Sequence, residues 1–171
     1  MRHKRLYQIS VAAALVAALH ASLLRGQTPV HWRASDAGTV AAGATVTARI
    51  SAAIDAGWHV YSLTQGAGGP IAMRITLAPS QPFALEGIPT GPAPHKAFDP
   101  NFGIQVELYE KSATFAVPVA ATADAQAGKD SILVRPRYQA CNASLCLPPR
   151  TETVAVPVTV ATSGKKSAPT S

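Results

Sequence analysis

The chain has 171 residues, with 15 Lys+Arg against nine Asp+Glu, 14 prolines, 12 glycines and two cysteines. Its formal net charge of +6 falls to +2 without residues 1–26, which hold four of the basic residues and none of the acidic ones. Two of the remaining positive charges, Lys165 and Lys166, lie in a polar tail, so no basic face is left for nucleic acid and that class of partner is excluded.

The N-terminus predicts an exported protein. Arg2, Lys4 and Arg5 precede an alanine-rich apolar run from Ile9 to Leu19. This is the order of a secretory signal peptide, here taken as residues 1–26, with Ala21 and Gly26 as possible last residues. The run is short of the roughly 20 residues that span a bilayer, which argues against an uncleaved anchor. No cysteine stands at the junction for lipid attachment. Export implies an oxidising compartment, where a disulfide persists.

Residues 27–162 are expected to form one domain, and 163–171 a disordered tail. His31 to Ala34 reads as a short strand. Thr45 to Ile54 is the clearest strand: Val46, Ala48, Ile50, Ala52 and Ile54 alternate with polar residues, so one face is buried and the other wet. Asp55-Ala56-Gly57 is a turn, and Trp58-His59-Val60-Tyr61 opens the next strand. Gly66 to Pro70 is a loop whose glycines lack the strand–helix context of a phosphate site. Met73, Ile75 and Leu77 mark another strand, and Phe83 to Ile88 a further one. Pro89 to Pro100 contains four prolines and is not expected to be regular over its length.

Gln105 to Tyr109 and Ala113 to Val119 read as a hairpin around Glu110-Lys111-Ser112, with Pro118 at a sheet edge or bulge. Ala120 to Lys129 is a loop. Ser131 to Tyr138 alternates, and Val154, Val156, Val158 and Val160 line one face of a last strand. Many short strands, frequent turns and no amphipathic helix beyond the signal give an all-β class and a β-sandwich.

Both cysteines, Cys141 and Cys146, lie between the last two of these strands, with four residues between them and Pro148-Pro149 just after. Three roles are open to such a pair. As a staple it closes a loop of about six residues, worth about 2 kcal/mol of chain entropy, at the weak end of disulfides. As a metal site it lacks paired ligands, since His31, His59 and His95 are scattered and each reads as an ordinary surface or sandwich-face histidine. As a redox couple it gains from a short stiff loop, because strained or accessible disulfides are the ones that exchange. Spacing does not choose among them.

The run Tyr138-Gln139-Ala140-Cys141, then Cys146-Leu147-Pro148-Pro149 with Thr151 beyond, resembles the active-site loop of the N-terminal periplasmic domain of the thiol:disulfide interchange protein DsbD. Gly57-Trp58-His59-Val60-Tyr61 is similar to that family's Gly-aromatic-x-x-Tyr strand. Asn101-Phe102-Gly103 followed by Glu107-Leu108-Tyr109 resembles its cap loop and next strand, and Phe115 to Val119 its apolar strand ending in Pro-Val. The likeness covers roughly residues 30 to 160.

The resemblance implies an immunoglobulin-like sandwich that relays electrons through a Cys141–Cys146 disulfide. The implied donor is a thioredoxin-like domain loaded by a membrane thiol reductase. The implied acceptors are periplasmic disulfide isomerases and cytochrome c maturation proteins, with no cofactor, metal or small-molecule substrate. Cys146 would carry the mixed disulfide and Cys141 resolve it. Phe102 would be the cap over the bond, with Tyr61, Asn101, Tyr138 and Pro148 lining the site. The chain reaches Ser171 with neither a membrane nor a thioredoxin-like domain, so either a separate partner supplies them or the relay role has been lost. Asp99-Pro100-Asn101 replaces the acidic residues the family often carries before the cap phenylalanine, which leaves a carboxylate beside the thiols unsupported. The alternative is a non-catalytic binding module whose local disulfide only shapes a loop. Asn142-Ala143-Ser144 matches a glycosylation acceptor and is read as incidental.

Overall fold

A computed structural model describes residues 28–162; the expected signal peptide and tail fall on residues outside that span. Within that span the secondary structure is all β: β1 (Val30–Ser35), β2 (Thr39–Ala41), β3 (Thr45–Ile54), β4 (His59–Tyr61), β5 (Arg74–Leu77), β6 (Phe83–Leu85), β7 (His95–Asp99), β8 (Ile104–Glu110), β9 (Ser112–Ala121), β10 (Gly128–Tyr138), β11 (Ala140–Cys141), β12 (Arg150–Thr151) and β13 (Val154–Ala161). They form an immunoglobulin-like sandwich, as the sequence predicts. One sheet runs β1-β3-β9-β6 and a second runs β12-β10-β13-β2, with β5 on the other edge of β10. A third, smaller sheet runs β11-β4-β8-β7.

The two larger sheets close over one core. Alternation sends Ala48, Ile50, Ala52 and Ile54 of β3 inward to meet Phe115, Val117 and Val119 of β9. From the facing sheet come Ile132 and Val134 of β10 and Val154, Val156, Val158 and Val160 of β13. Trp32 packs its ring 5.9 Å from Phe115 and 5.6 Å from Tyr138. β-branched side chains dominate because they fill a pleated face with little loss of rotamer freedom.

Two expectations are corrected. β8 and β9 do not form a hairpin. Only Lys111 lies between them, too little for the shortest common hairpin loop. Its φ of 62° turns the chain from the third sheet into the first, and Ile54 N donates to its carbonyl at 2.8 Å. The proline-rich stretch is, as expected, not regular over its length, and only its proline-free residues form β7, which pairs with β8 from His95↔Leu108 to Asp99↔Ile104. The strand read over Phe83 to Ile88 ends at Leu85. Pro118 lies where Glu86 N bonds its carbonyl just beyond the end of β6, so its missing N–H falls in a gap of the ladder.

The third sheet positions the site because β4 and the middle of β8 are buried on both faces. Val60 and Tyr109 point into the main core, where Tyr109 meets Phe115 edge-on at 5.4 Å. Tyr61, Val106 and Leu108 point the other way, into a second small cluster with Cys141. Successive residues of β4 and β8 thus serve two cores, one structural and one beneath the cysteine loop.

Candidate functional site

The cysteine loop forms where the chain leaves one sheet for another. β10 ends at Tyr138 in the second sheet, and two residues later β11 pairs with β4 in the third, Ala140↔Val60 and Cys141↔His59. Asn142 then closes a tight turn. Its Oδ1 accepts from Ser144 N and Leu145 N, both at 2.9 Å, and its own N donates to Leu145 O at 2.9 Å. Short polar side chains that bond their own backbone favour such turns. Leu147 N returns to Ala140 O at 2.9 Å, so Cys141 and Cys146 face each other as bridge partners and are joined by a disulfide. Cys141 is fully buried, whereas Cys146 is half-buried.

Tyr61 and Asp99 lie beneath this bond. Tyr61 is fully buried, and its hydroxyl donates to Asp99 Oδ2 at 2.6 Å and lies 3.8 Å from Cys146 Sγ. Asp99 is 2% exposed. Its other oxygen accepts from Asn101 N at 2.8 Å, and its backbone carbonyl accepts from Gly103 N at 2.8 Å. One residue therefore both caps the turn after β7 and supplies a buried acceptor to Tyr61. Gly103, at φ 66°, takes the left-handed position that this turn requires.

Burial alone would raise the Asp99 carboxyl. The hydrogen bonds from Tyr61 and Asn101, with His59 nearby, outweigh it and hold the group below the usual carboxylate range. Burial, followed by the bond to Asp99 and the charge of Asp99, pushes the Tyr61 hydroxyl far above its ordinary value. At neutral pH the pair is a phenol bonded to a carboxylate.

His59 completes the cluster. Its Nε2 is 3.3 Å from Tyr61 Oη and 3.4 Å from Asp99 Oδ2, and its ring meets Tyr61 edge-on at 5.2 Å. Phe102 meets the same tyrosine from the turn after β7, with centroids 6.0 Å apart and planes perpendicular. It is 38% exposed in the turn before β8, so it is not a core residue of that strand. Asn101 Nδ2 donates to Asn142 O at 2.9 Å, which ties the turn after β7 to the cysteine loop.

Not every residue read as site lining lies here. Tyr138 packs on Trp32 in the main core and donates to Glu152 Oε1 at 2.5 Å. Burial and then Glu152 push its hydroxyl up. Pro148 is exposed on the strand side of the loop, after Leu147, which packs against the main core. Two residues that the sequence undervalued do belong. Asp99 supplies the carboxylate that the sequence left in doubt: it stands three residues before Phe102, and β7 brings it beneath the disulfide, with the Tyr61 hydroxyl between it and Cys146. His59 read as an ordinary histidine, yet its register opposite Cys141 was the one available signal, hidden until the pairing of β4 and β11 is known.

The family described as "Thiol:disulfide interchange protein DsbD, N-terminal" matches residues 31–157, well over half of the chain. The chain belongs to that family. Among solved structures, the N-terminal periplasmic domain of ScsB from Proteus mirabilis is similar, with a TM-score of 0.51 and 18% identity. The likeness covers 74% of this chain and 44% of that one, so this chain spans less than half of that structure. A family 123 glycoside hydrolase from Clostridium perfringens overlaps at a TM-score of 0.35 and 8% identity, over 77% of this chain and 27% of that one, which carries no argument. No curated protein matches the chain in sequence.

Proposed function

We propose that this member of the DsbD N-terminal family is an exported, periplasmic relay that passes electrons through the Cys141–Cys146 couple between thioredoxin-like proteins. A thiolate of the donor attacks Cys146 Sγ, and the bonding pair leaves on Cys141 Sγ. The donor's second thiolate then attacks its own sulfur in the mixed disulfide and releases Cys146. The resulting dithiol reduces a periplasmic acceptor by the reverse sequence. A disulfide isomerase or a cytochrome c maturation protein is the acceptor class the family implies, and a membrane thiol reductase with a thioredoxin-like domain is the donor class.

The observation that carries this reading is the unequal burial of the two cysteines. An attacking sulfur must approach along the bond, so the half-buried Cys146 is open to a partner while the enclosed Cys141 is suited to resolve. Phe102 acts as a lid, half-exposed and hinged between Pro100 and Gly103, which a partner must displace. The test is covalent trapping. Cys141→Ser should accumulate a mixed disulfide with a thioredoxin-like partner, and Cys146→Ser should accumulate far less. Equal trapping by both variants, or by neither, contradicts the assignment. A reduction potential below about −300 mV would instead mark a structural bond.

A further inference from the structure

We propose that His59 is the proton reservoir of the exchange site, loading and unloading Cys146 through the Tyr61 hydroxyl. The inference rests on the relay reading above and adds a residue that reading leaves unused.

Release of Cys146 as a thiolate places a negative charge in a half-buried site above an existing carboxylate, and the sulfur must take a proton. Tyr61 Oη is the hydroxyl within reach, at 3.8 Å. A phenol held this firmly does not serve as a lasting source, because an empty tyrosinate beside Asp99 would place two negative charges 2.6 Å apart. Tyr61 can give a proton only while receiving one. Nε2 of His59, 3.3 Å from the same oxygen, is positioned to supply it. Asp99 lies 3.4 Å from that nitrogen and stays ionised, so it faces the imidazole without competing as the proton store.

The other groups facing His59 are consistent with this role. Cys141 is its cross-strand partner on β11 and Glu110 its partner on β8, the latter exposed to water. Tyr61 lies two residues along on the same face, and Asp99 comes from β7. No lysine or arginine is paired with this cluster among the described residues. The charges around the imidazole are thus carboxylates, one buried and one wet.

The protons balance. The donor's two thiols lose two protons to water as its disulfide forms, and the two cysteines gain two. When Cys146 Sγ leaves with its electron pair, it takes the Tyr61 proton, Tyr61 takes that of His59 Nε2, and His59 is reloaded from water at its partly exposed edge. Run backwards, Cys146 loses its proton to the same chain before attacking an oxidised acceptor.

The experiment compares the whole chain with His59→Gln in reduction by reduced thioredoxin, between about pH 6 and 8.5, where imidazole titrates. Ionisation of thioredoxin cancels in the ratio of the two rates. The wild-type advantage should be roughly tenfold at the acid end and shrink steadily toward the alkaline end, as expected when a positioned acid is lost. A ratio that is constant with pH, whatever its size, overturns the proposal, since a merely structural histidine gives that result. If His59→Gln does not fold, His59→Tyr keeps an aromatic ring against Tyr61 and should show the same pH-dependent ratio. A wild-type disulfide that dithiothreitol reduces and thioredoxin does not would remove the relay reading, and this inference with it.

Discussion

The two sides of the β4–β8 wall differ in what they exclude. Toward the main sandwich, Val60 and Tyr109 join a cluster built almost wholly of valine, isoleucine, alanine and aromatic rings, with no buried charge. Toward the cysteine loop, Tyr61, Val106 and Leu108 enclose Cys141 in a far smaller cluster. The buried polar side chains among the described residues, Ser62 and Asp99, both lie on or beside this wall. Burying a carboxylate costs several kcal/mol unless it is bonded, and Asp99 is bonded at both oxygens. The large core supplies most of the stability, so the small one can hold a charge, a phenol and a disulfide.

The sharpest way to break this division is Phe115→Ala. That ring is fully buried between Trp32 and Tyr109, and its loss should cost about 3–5 kcal/mol in urea unfolding. The protein that remains folded should still exchange thiols at the wild-type rate. A slowed exchange would show that the two cores are coupled.

A smaller effect is expected on the other side of the wall. Tyr61→Phe leaves Asp99 buried without one of its donors and should cost about 1.5–3 kcal/mol, the range for a bond to a charged group. Its pH dependence carries a sign. Asp99 titrates lower folded than unfolded, so its stabilisation is complete above the ordinary carboxylate value and is lost as pH falls below it toward the folded one. Asp99→Asn should flatten that acid limb in urea midpoints measured against pH. An unchanged limb would mean that other carboxylates govern it.

The smallest effect on stability should come from Phe102→Ala, because the ring is already 38% exposed. We expect less than about 1 kcal/mol of destabilisation, within the range of surface changes near a contact. Reduction by a small thiol should nevertheless accelerate several-fold. This pairing of small stability change with large rate change is the inverse of that expected for Phe115→Ala. A folded variant with an unaltered rate would remove Phe102 from the site.

The alternation of Thr45 to Ile54, of Ser131 to Tyr138 and of Val154 to Val160 made three central strands legible, since each has one wet face and one dry one. β8 was legible as a strand but not in its partners: its neighbours are β4 and β7, whereas the next strand in sequence pairs with β3 and β6. Alternation reports which side of a strand is buried and is silent about which strand lies beside it. Tyr138 was misjudged for the same reason. It stands three residues from Cys141, yet the chain changes sheets between them and its ring turns into the main core.

What the sequence determined by itself is therefore local: the main strands, the cysteine pair and a motif close enough to identify a family. The pairing of β4 with β11 and of β7 with β8 was decided only in three dimensions. It brings His59, Asp99 and Cys146, spread over nearly ninety residues, onto one face around the Tyr61 hydroxyl. Side-chain patterns encode burial through a period of two, which any short stretch displays. Proton and thiol chemistry depends on distances of about 3–4 Å between residues far apart in the chain, and those are fixed by strand register alone.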